Sequence, residues 1–337
     1  MCGFLREVSE QVEEPDTRLN HGVMGRGPRP PFVTIVFLVA SLSVVSITTG
    51  LPGSAVAREV IKRSGSLTAR ADTTNAHPGG LLVVSVSGQG SRSSASAVFL
   101  GRRHSFFTTN GRLRALIPVP LGTPPRSTVL GVEVRRRRRR WRMTLDITIA
   151  PRSFGERAIR LPPQKLRLVG RPEALRDGRR ILGMLRTVTP QAHWRGPFKS
   201  PVHVAHSPSF GKRETVEGGG GVSLNRLFDG LYEDVHRGLD YAVPLGTIVQ
   251  APAAATVMFA GKLVASGQTI VLDHGQGVIS AFFHLNRIEV REGQWIEGRS
   301  PIAQSGDSGF VGSPTLHWGV YINGVAVDPR VMFDLEI

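Results

Sequence analysis

The stretch His236-Arg237-Gly238-Leu239-Asp240 decides how the C-terminal part of this chain folds. Gly238 within it and Pro244 just after it argue against a helix. In an extended segment, residues i and i+4 point the same way, so His236 and Asp240 face one cleft and Arg237 and Leu239 the other side. A second stretch, Leu316-His317-Trp318-Gly319, has strand character. There Leu316, Trp318 and Val320 form an apolar face, while Thr315, His317, Gly319 and Tyr321 share the opposite one. Each of these histidines alone reads as an ordinary surface or core residue. Together, two histidines and a carboxylate make a three-ligand set that suits one Zn²⁺ and leaves a fourth tetrahedral position open.

The rest of the composition narrows the setting. The chain has 337 residues and a formal net charge of +16, distributed unevenly. Residues 201–337 carry 9 Lys and Arg against 14 Asp and Glu, whereas residues 1–200 carry 33 against 12. A basic half can meet nucleic acid, anionic lipid or an acidic wall polymer. Cys2 is the single cysteine, which rules out an intrachain disulfide and any cysteine-based metal site.

Residues 32–47, FVTIVFLVASLSVVSI, follow Arg26 and Arg29 and precede Ala55-Val56-Ala57. This order of basic, apolar and small residues reads as a secretory signal. Residues 1–57 are accordingly expected to be a leader that directs export to the cell envelope, either cleaved or retained as an anchor over residues 32–49. Met24 offers a later start than Met1. Export argues against nucleic acid as a partner.

Residues 58–80 read as a polar linker broken by His77-Pro78-Gly79-Gly80. Short β-type runs then follow over 81–151, punctuated by Gly, Pro and Asn110-Gly111, and predict a small β-rich accessory domain. The six arginines Arg135–Arg140 fall between two of these runs. They read as a hairpin cap, solvated or in contact with an anionic wall polymer or lipid. Residues 152–197 are expected to be a linker holding one amphipathic helix over Pro172–Val188, with Leu175, Ile181, Leu182 and Leu185 at helical spacing. Residues 198–337 return to short strands between glycine-rich turns, interrupted by Gly218–Gly221 and a loop with Asp229, Glu233 and Asp234. The fold class is therefore mainly β, with a C-terminal all-β domain of two packed or curled sheets.

Four further histidines need placing. His284 lies near the end of the run Val278–Leu285, where alternation groups it with Ser280 and Phe282; a histidine at a strand end can act on a substrate or a water. His274 precedes Gly275 and reads as a turn residue bonded to backbone. His203 and His206 stand at the domain entrance.

The segment from about Phe198 to Phe333 resembles the lysostaphin-type (M23, LytM-like) zinc endopeptidases. The resemblance runs through Ser209-Phe210-Gly211-Lys212-Arg213, His236 to Asp240, Gly246-Thr247, Ala251-Pro252 and Leu272-Asp273-His274-Gly275. It continues through Phe283-His284-Leu285, Leu316 to Gly319, Asn323-Gly324 and Val327-Asp328-Pro329. It implies that His236 and Asp240, from an H-x-x-x-D motif, and His317, the second histidine of an H-x-H motif, are zinc ligands. His284 then matches a catalytic histidine, with Phe282 in place of a tyrosine. One position departs: the first histidine of H-x-H, a second catalytic residue, is Thr315 here. A threonine hydroxyl only donates or accepts hydrogen bonds near neutral pH, and losing one acid–base group typically costs ~10²–10⁴ in rate.

The resemblance thus implies a zinc-dependent endopeptidase acting on peptide bonds of cell-wall peptidoglycan, with Thr315 weakening it. The alternative is a degenerate member that binds wall or activates another hydrolase. His203 or His206 standing in for the missing base is a third, lesser expectation.

Overall fold

The computed structural model describes residues 58–335 except 89, 91, 110, 169–170 and 218–234. The expected leader with its 32–49 anchor, Asn110 of the Asn-Gly turn, and the glycine run with Asp229, Glu233 and Asp234 lie outside the described residues. Among the described residues no helix is long and apolar enough to cross a membrane.

Nine strands come first: β1 (Glu59–Ser64), β2 (Leu67–Asp72), β3 (Leu81–Ser87), β4 (Ser94–Phe99), β5 (Arg102–Ser105), β6 (Phe107–Thr109), β7 (Arg112–Pro118), β8 (Arg126–Arg136) and β9 (Arg139–Ile149). They form one sheet in the order β1-β2-β3-β7-β6 and another in the order β5-β4-β8-β9. Leu82, Val84 and Ile117 of the first and Phe99, Leu130 and Leu145 of the second share one buried core. Strand β9 shows why these segments extend. Met143, Leu145, Ile147 and Ile149 are buried while Thr144, Asp146 and Thr148 are exposed, the period-two pattern of a half-buried strand.

Residues 58–80, expected to be a linker, instead carry β1 and β2 and close one edge of the first sheet. Leu67, Ala69 and Ala71 are buried at alternate positions. Two of those three are alanines, too weakly apolar to stand out among Thr68, Arg70 and Asp72. The arginine run does cap a hairpin. Arg136 pairs with Arg139, and Arg137-Arg138 makes the two-residue turn with Arg137 at φ 51°. All six side chains are exposed.

The segment between the sheets and the C-terminal domain is more ordered than a linker. It holds β10 (Glu156–Arg160), the single turn α1 (Pro163–Leu166) and α2 (Pro172–Met184). Helix α2 lies where the apolar spacing puts it. Proline occupies its first turn, where the missing N–H is harmless, and Ala174, Gly178 and Ile181 are buried. Asp177 accepts a bond from Val264 N at 2.8 Å, and Arg180 lies 4.6 Å above the Phe259 ring. Strand β10 pairs in parallel with β11 (Arg213–Glu217). Nothing local in either segment announces a partner so distant in the chain.

Among the described residues the C-terminal domain has strands and no α-helix, as expected, with one 3-10 turn at Pro329–Met332. Its strands are β12 (Leu239–Tyr241), β13 (Ile248–Gln250), β14 (Ala255–Leu263), β15 (Gly267–Asp273), β16 (Val278–Ile288), β17 (Trp295–Ile296), β18 (Pro301–Ser305), β19 (Leu316–Ile322) and β20 (Val325–Val327). They make a nine-stranded sheet running β12-β19-β16-β15-β14-β17, with β18 joining β16 to β13 and β20 flanking β19.

A buried polar chain pins this sheet from behind. His274 Nδ1 faces the Ala254 carbonyl at 2.9 Å and must therefore donate. Its Nε2 then accepts from Ser280 Oγ at 2.8 Å, and that oxygen accepts in turn from Trp318 Nε1 at 3.2 Å. The expected turn histidine is thus also a core residue. The junction with the first sheets is polar too. Asp328 N donates to Gly79 O at 2.8 Å, and its carboxylate, 3% exposed, accepts from both Arg152 and Arg330.

Two outcomes follow from these buried groups. Arg152→Ala removes a charged donor from Asp328 while Arg330 remains, and is expected to cost about 2 kcal/mol in urea unfolding; a loss under about 0.5 would contradict it. His274 is held down to about 4 by burial, against an opposing backbone bond. Its neutral form therefore contributes stability that is complete above about pH 6.5 and is lost as pH falls toward 4, about 2 kcal/mol of it by pH 5. An NMR titration of the His274 ring with a midpoint near 6.5 would overturn this.

Candidate metal centre

The cross-strand register of β12 on β19 sets Asp240 directly opposite His317, so both side chains leave the same face. His236, four residues before Asp240, is tied by its own backbone. Its N–H bonds Lys212 O at 2.9 Å, and its carbonyl accepts from Gly211 N at 2.8 Å. The outcome is a tight convergence. His236 Nε2 lies 3.0 Å from Asp240 Oδ1, His317 Nδ1 lies 2.9 Å from that same oxygen, and the two ring nitrogens are 3.0 Å apart. The three residues expected from the sequence are brought to one point and form a metal-type cluster.

This donor set is uneasy on its own. If both facing nitrogens carry protons, two N–H hydrogens oppose each other across 3.0 Å. If neither does, three lone pairs converge with nothing between them, and if one does, a single proton is shared between the other nitrogen and the carboxylate. A divalent cation satisfies that convergence, and two imidazole nitrogens with one carboxylate oxygen are donors of the type zinc takes. Burial would raise the Asp240 carboxyl, but the adjoining His236 and His317 outweigh it and hold the group well below the usual carboxylate range.

The neighbours fix the ring planes. Phe283 pairs with His317 across β16 and β19, and its ring stacks on the imidazole at 5.2 Å with 7° between planes. On another side, a Cβ added to Gly238 would sit 2.6 Å from His317 Nε2 and equally close to Trp318 O. The glycine between His236 and Asp240 is therefore needed for close approach, not for a turn.

His284 reaches the same cleft by an irregular route. Plain alternation groups it with Ser280 and Phe282, which both point into the core. The structure corrects this. The pairing of β15 with β16 shifts between Gln268 and Ile270, so that Phe283 and His284 together oppose Thr269, and His284 sits at φ 64°. This bulge turns His284 toward the cleft beside Phe283. The His284 ring lies 6.4 Å from that of His317. Its Nδ1 donates to Ser308 O at 2.9 Å, which leaves Nε2 as the acceptor. Burial first, then the nearby His317, lowers it to about 4, so the ring is neutral at ordinary pH.

His236, Asp240, His317, His284 and Thr315 all line one cavity of about 660 Å³. Thr315, two residues before His317, stands on the cleft face as the alternation implies, and its N–H bonds Gly306 O at 2.9 Å. His203 and His206 lie outside the lining; His206 packs edge-on against Tyr241 instead.

Two polar residues of the site escaped the sequence reading. Arg157 on β10 donates from Nη1 to Asp240 Oδ2 at 2.6 Å and from Nε to Glu214 Oε1 at 2.6 Å. Glu214, on β11, is only 6% exposed and shares a strand face with the buried Val216. A carboxylate on the apolar face of RETVE was the available sign. Strand β10 and the α1 turn after it hold the segment that closes the cavity. Lys165 Nζ bonds Val311 O at 2.9 Å, and Gly312 packs on the Arg160 carbonyl.

Comparison with known proteins agrees with this geometry. Residues 234–329 match the model of "Peptidase family M23". An "Uncharacterized metalloprotease" of Haemophilus influenzae is 38% identical over 95 residues, 28% of this chain and 20% of its own length. The "Peptidoglycan DD-endopeptidase ShyA" of Vibrio cholerae is 31% identical over 93 residues, 28% of this chain and 22% of its own. The chain thus spans about a fifth of the length of these relatives. A Pseudomonas aeruginosa crystal structure ascribed to peptidase M23 aligns over 77% of this chain and 96% of its own, with TM-score 0.56 and 25% identity. That likeness takes in the accessory sheets as well as the site. Cluster, cleft and alignment meet on the same residues, and the chain carries a peptidase family M23 domain over residues 234–329.

Proposed function

We propose that this chain is a zinc-dependent endopeptidase of the cell envelope that hydrolyses peptide bonds of peptidoglycan. The observation that carries the reading is the meeting of His236 Nε2, Asp240 Oδ1 and His317 Nδ1 within 3.0 Å of one another in the cleft. Bound there, zinc supplies Lewis acidity that polarises a carbonyl and activates water.

The chain's own groups supply the rest. His284, neutral and with Nε2 as acceptor, takes a proton from the attacking water or steadies the developing oxyanion through a proton it has gained. Thr315 offers one hydroxyl to the substrate and no base. Phe283 and the apolar side of α2, with Ile181, Leu182 and the adjoining Leu185, supply an apolar cleft wall. The relatives' names support a peptidoglycan peptide as substrate and an envelope location. The exposed arginines at the β8–β9 turn support contact with an anionic wall polymer or lipid surface.

Thr315 favours a second reading, in which the domain keeps its metal but serves as a wall-binding or hydrolase-activating module. The two readings separate by experiment. The full chain is expected to hold one zinc, to lose it in His317→Ala, and to release peptide fragments from cross-linked wall only when loaded. A chain that binds no zinc, or a His317→Ala variant as active as the parent, would sink the enzyme reading. Restoring an acid–base group with Thr315→His is expected to raise the cleavage rate by ~10²-fold or more. A zinc-loaded parent with no activity that gains cleavage only in Thr315→His would favour the module.

A further inference from the structure

We infer that Arg157, a residue outside the matched M23 stretch, is a positioning residue that fixes how Asp240 presents itself to the metal. The inference rests on the zinc reading above. Asp240 has two oxygens with separate tasks: Oδ1 meets both histidines, while Oδ2 is held by Arg157 Nη1 at 2.6 Å. A carboxylate free at both oxygens can turn about its Cβ–Cγ bond and chelate a cation with either or both. With Oδ2 bound to a guanidinium, one oxygen is left to ligate and the carboxylate plane is set.

Arg157 is itself positioned. Its side chain is 28% exposed, its Nε donates to the buried Glu214, and β10 pairs residue for residue with β11 so that Arg157 lies opposite Glu214. The fork of a guanidinium can bond two carboxylates at once, whereas an ammonium is a compact point charge. Glu214, Arg157 and Asp240 therefore form a rigid chain leading to the metal cluster. Outer partners of this kind typically change metal affinity ~10–100-fold when removed.

The segment that supplies Arg157 also lies beyond the expected domain boundary at residue 198. A metal site complete in its ligands is thus held in shape by a strand from the region expected to be a linker.

The test is metal binding by the full chain, read without any activity assay. Zinc affinity is measured by chelator competition, and coordination by the visible spectrum of the Co²⁺-loaded protein. Arg157→Ala is expected to weaken zinc ~10–100-fold and to lower the Co²⁺ absorption, as the freed carboxylate raises the coordination number. Arg157→Lys is expected to fall between, keeping the charge but losing the fork. Glu214→Gln, which loosens Arg157 without touching Asp240, is expected to weaken zinc in the same direction by a smaller factor, and it serves if Arg157→Ala does not fold. A merely structural role in pinning β10 to β11 would lower the melting temperature and leave affinity and spectrum alone. Folded variants with unchanged zinc affinity and unchanged Co²⁺ spectrum would overturn the inference while leaving the zinc reading intact. A parent chain that binds neither metal would overturn both.

Discussion

One antiparallel register, Asp240 opposite His317, governs the rest of the site. Strand β12 has three residues, and a shift by one would put Asp240 on the far face and leave His317 facing Leu239 or Tyr241. The register is held by what lies behind it. Leu239 and Tyr241 are buried, Trp318 is fully buried, and Trp318 is anchored through Ser280 to His274. The hydrophobic side of the sheet thus fixes the polar side. No single bond at the cluster has to do it.

The cleft is assembled from pieces remote in the chain. Its floor comes from β12, β16 and β19. Its walls come from α2, from the strap formed by β10 with its partner β11, and from the segment around Phe310 to Thr315. Parallel pairing of β10 with β11 brings the strap in. Such contacts close long loops, and the surrounding packing has to offset that entropy. The accessory sheets also share the C-terminal core at one edge, since Leu81 and Leu116 pack with its residues, and the Arg152–Asp328–Arg330 cluster ties them to the end of the domain.

Much of this was legible in the sequence, for reasons that differ by residue. His236, Asp240 and His317 could be read because their spacing and strand faces are local properties, and the surrounding motifs fixed the domain type. Helix α2 announced itself by periodicity, and β9 by alternation. Strands β1 and β2 did not, because alanine carries their buried face. Strand β10 did not, because its partner lies beyond two helices. The face of His284 was misjudged because a bulge adds a residue, and a count of alternating positions cannot see it. Arg157 was hidden for a deeper reason. An arginine in a basic half looks like any other until a tertiary contact shows which carboxylate it holds.

The bulge at His284 has a cost that bears on how this domain tolerates change. A left-handed backbone at a residue other than glycine typically costs ~1–3 kcal/mol, and it persists only where surrounding structure imposes it. Here Ser266 O holds the His284 N–H at 2.9 Å and Ser308 O holds the ring, so the strain is imposed from both ends. Glycine or asparagine would suit that backbone better than histidine does. On the proposed function, stability and chemistry therefore pull in opposite directions at this one position, and a search for hardier variants that scored only resistance to heat discards the imidazole.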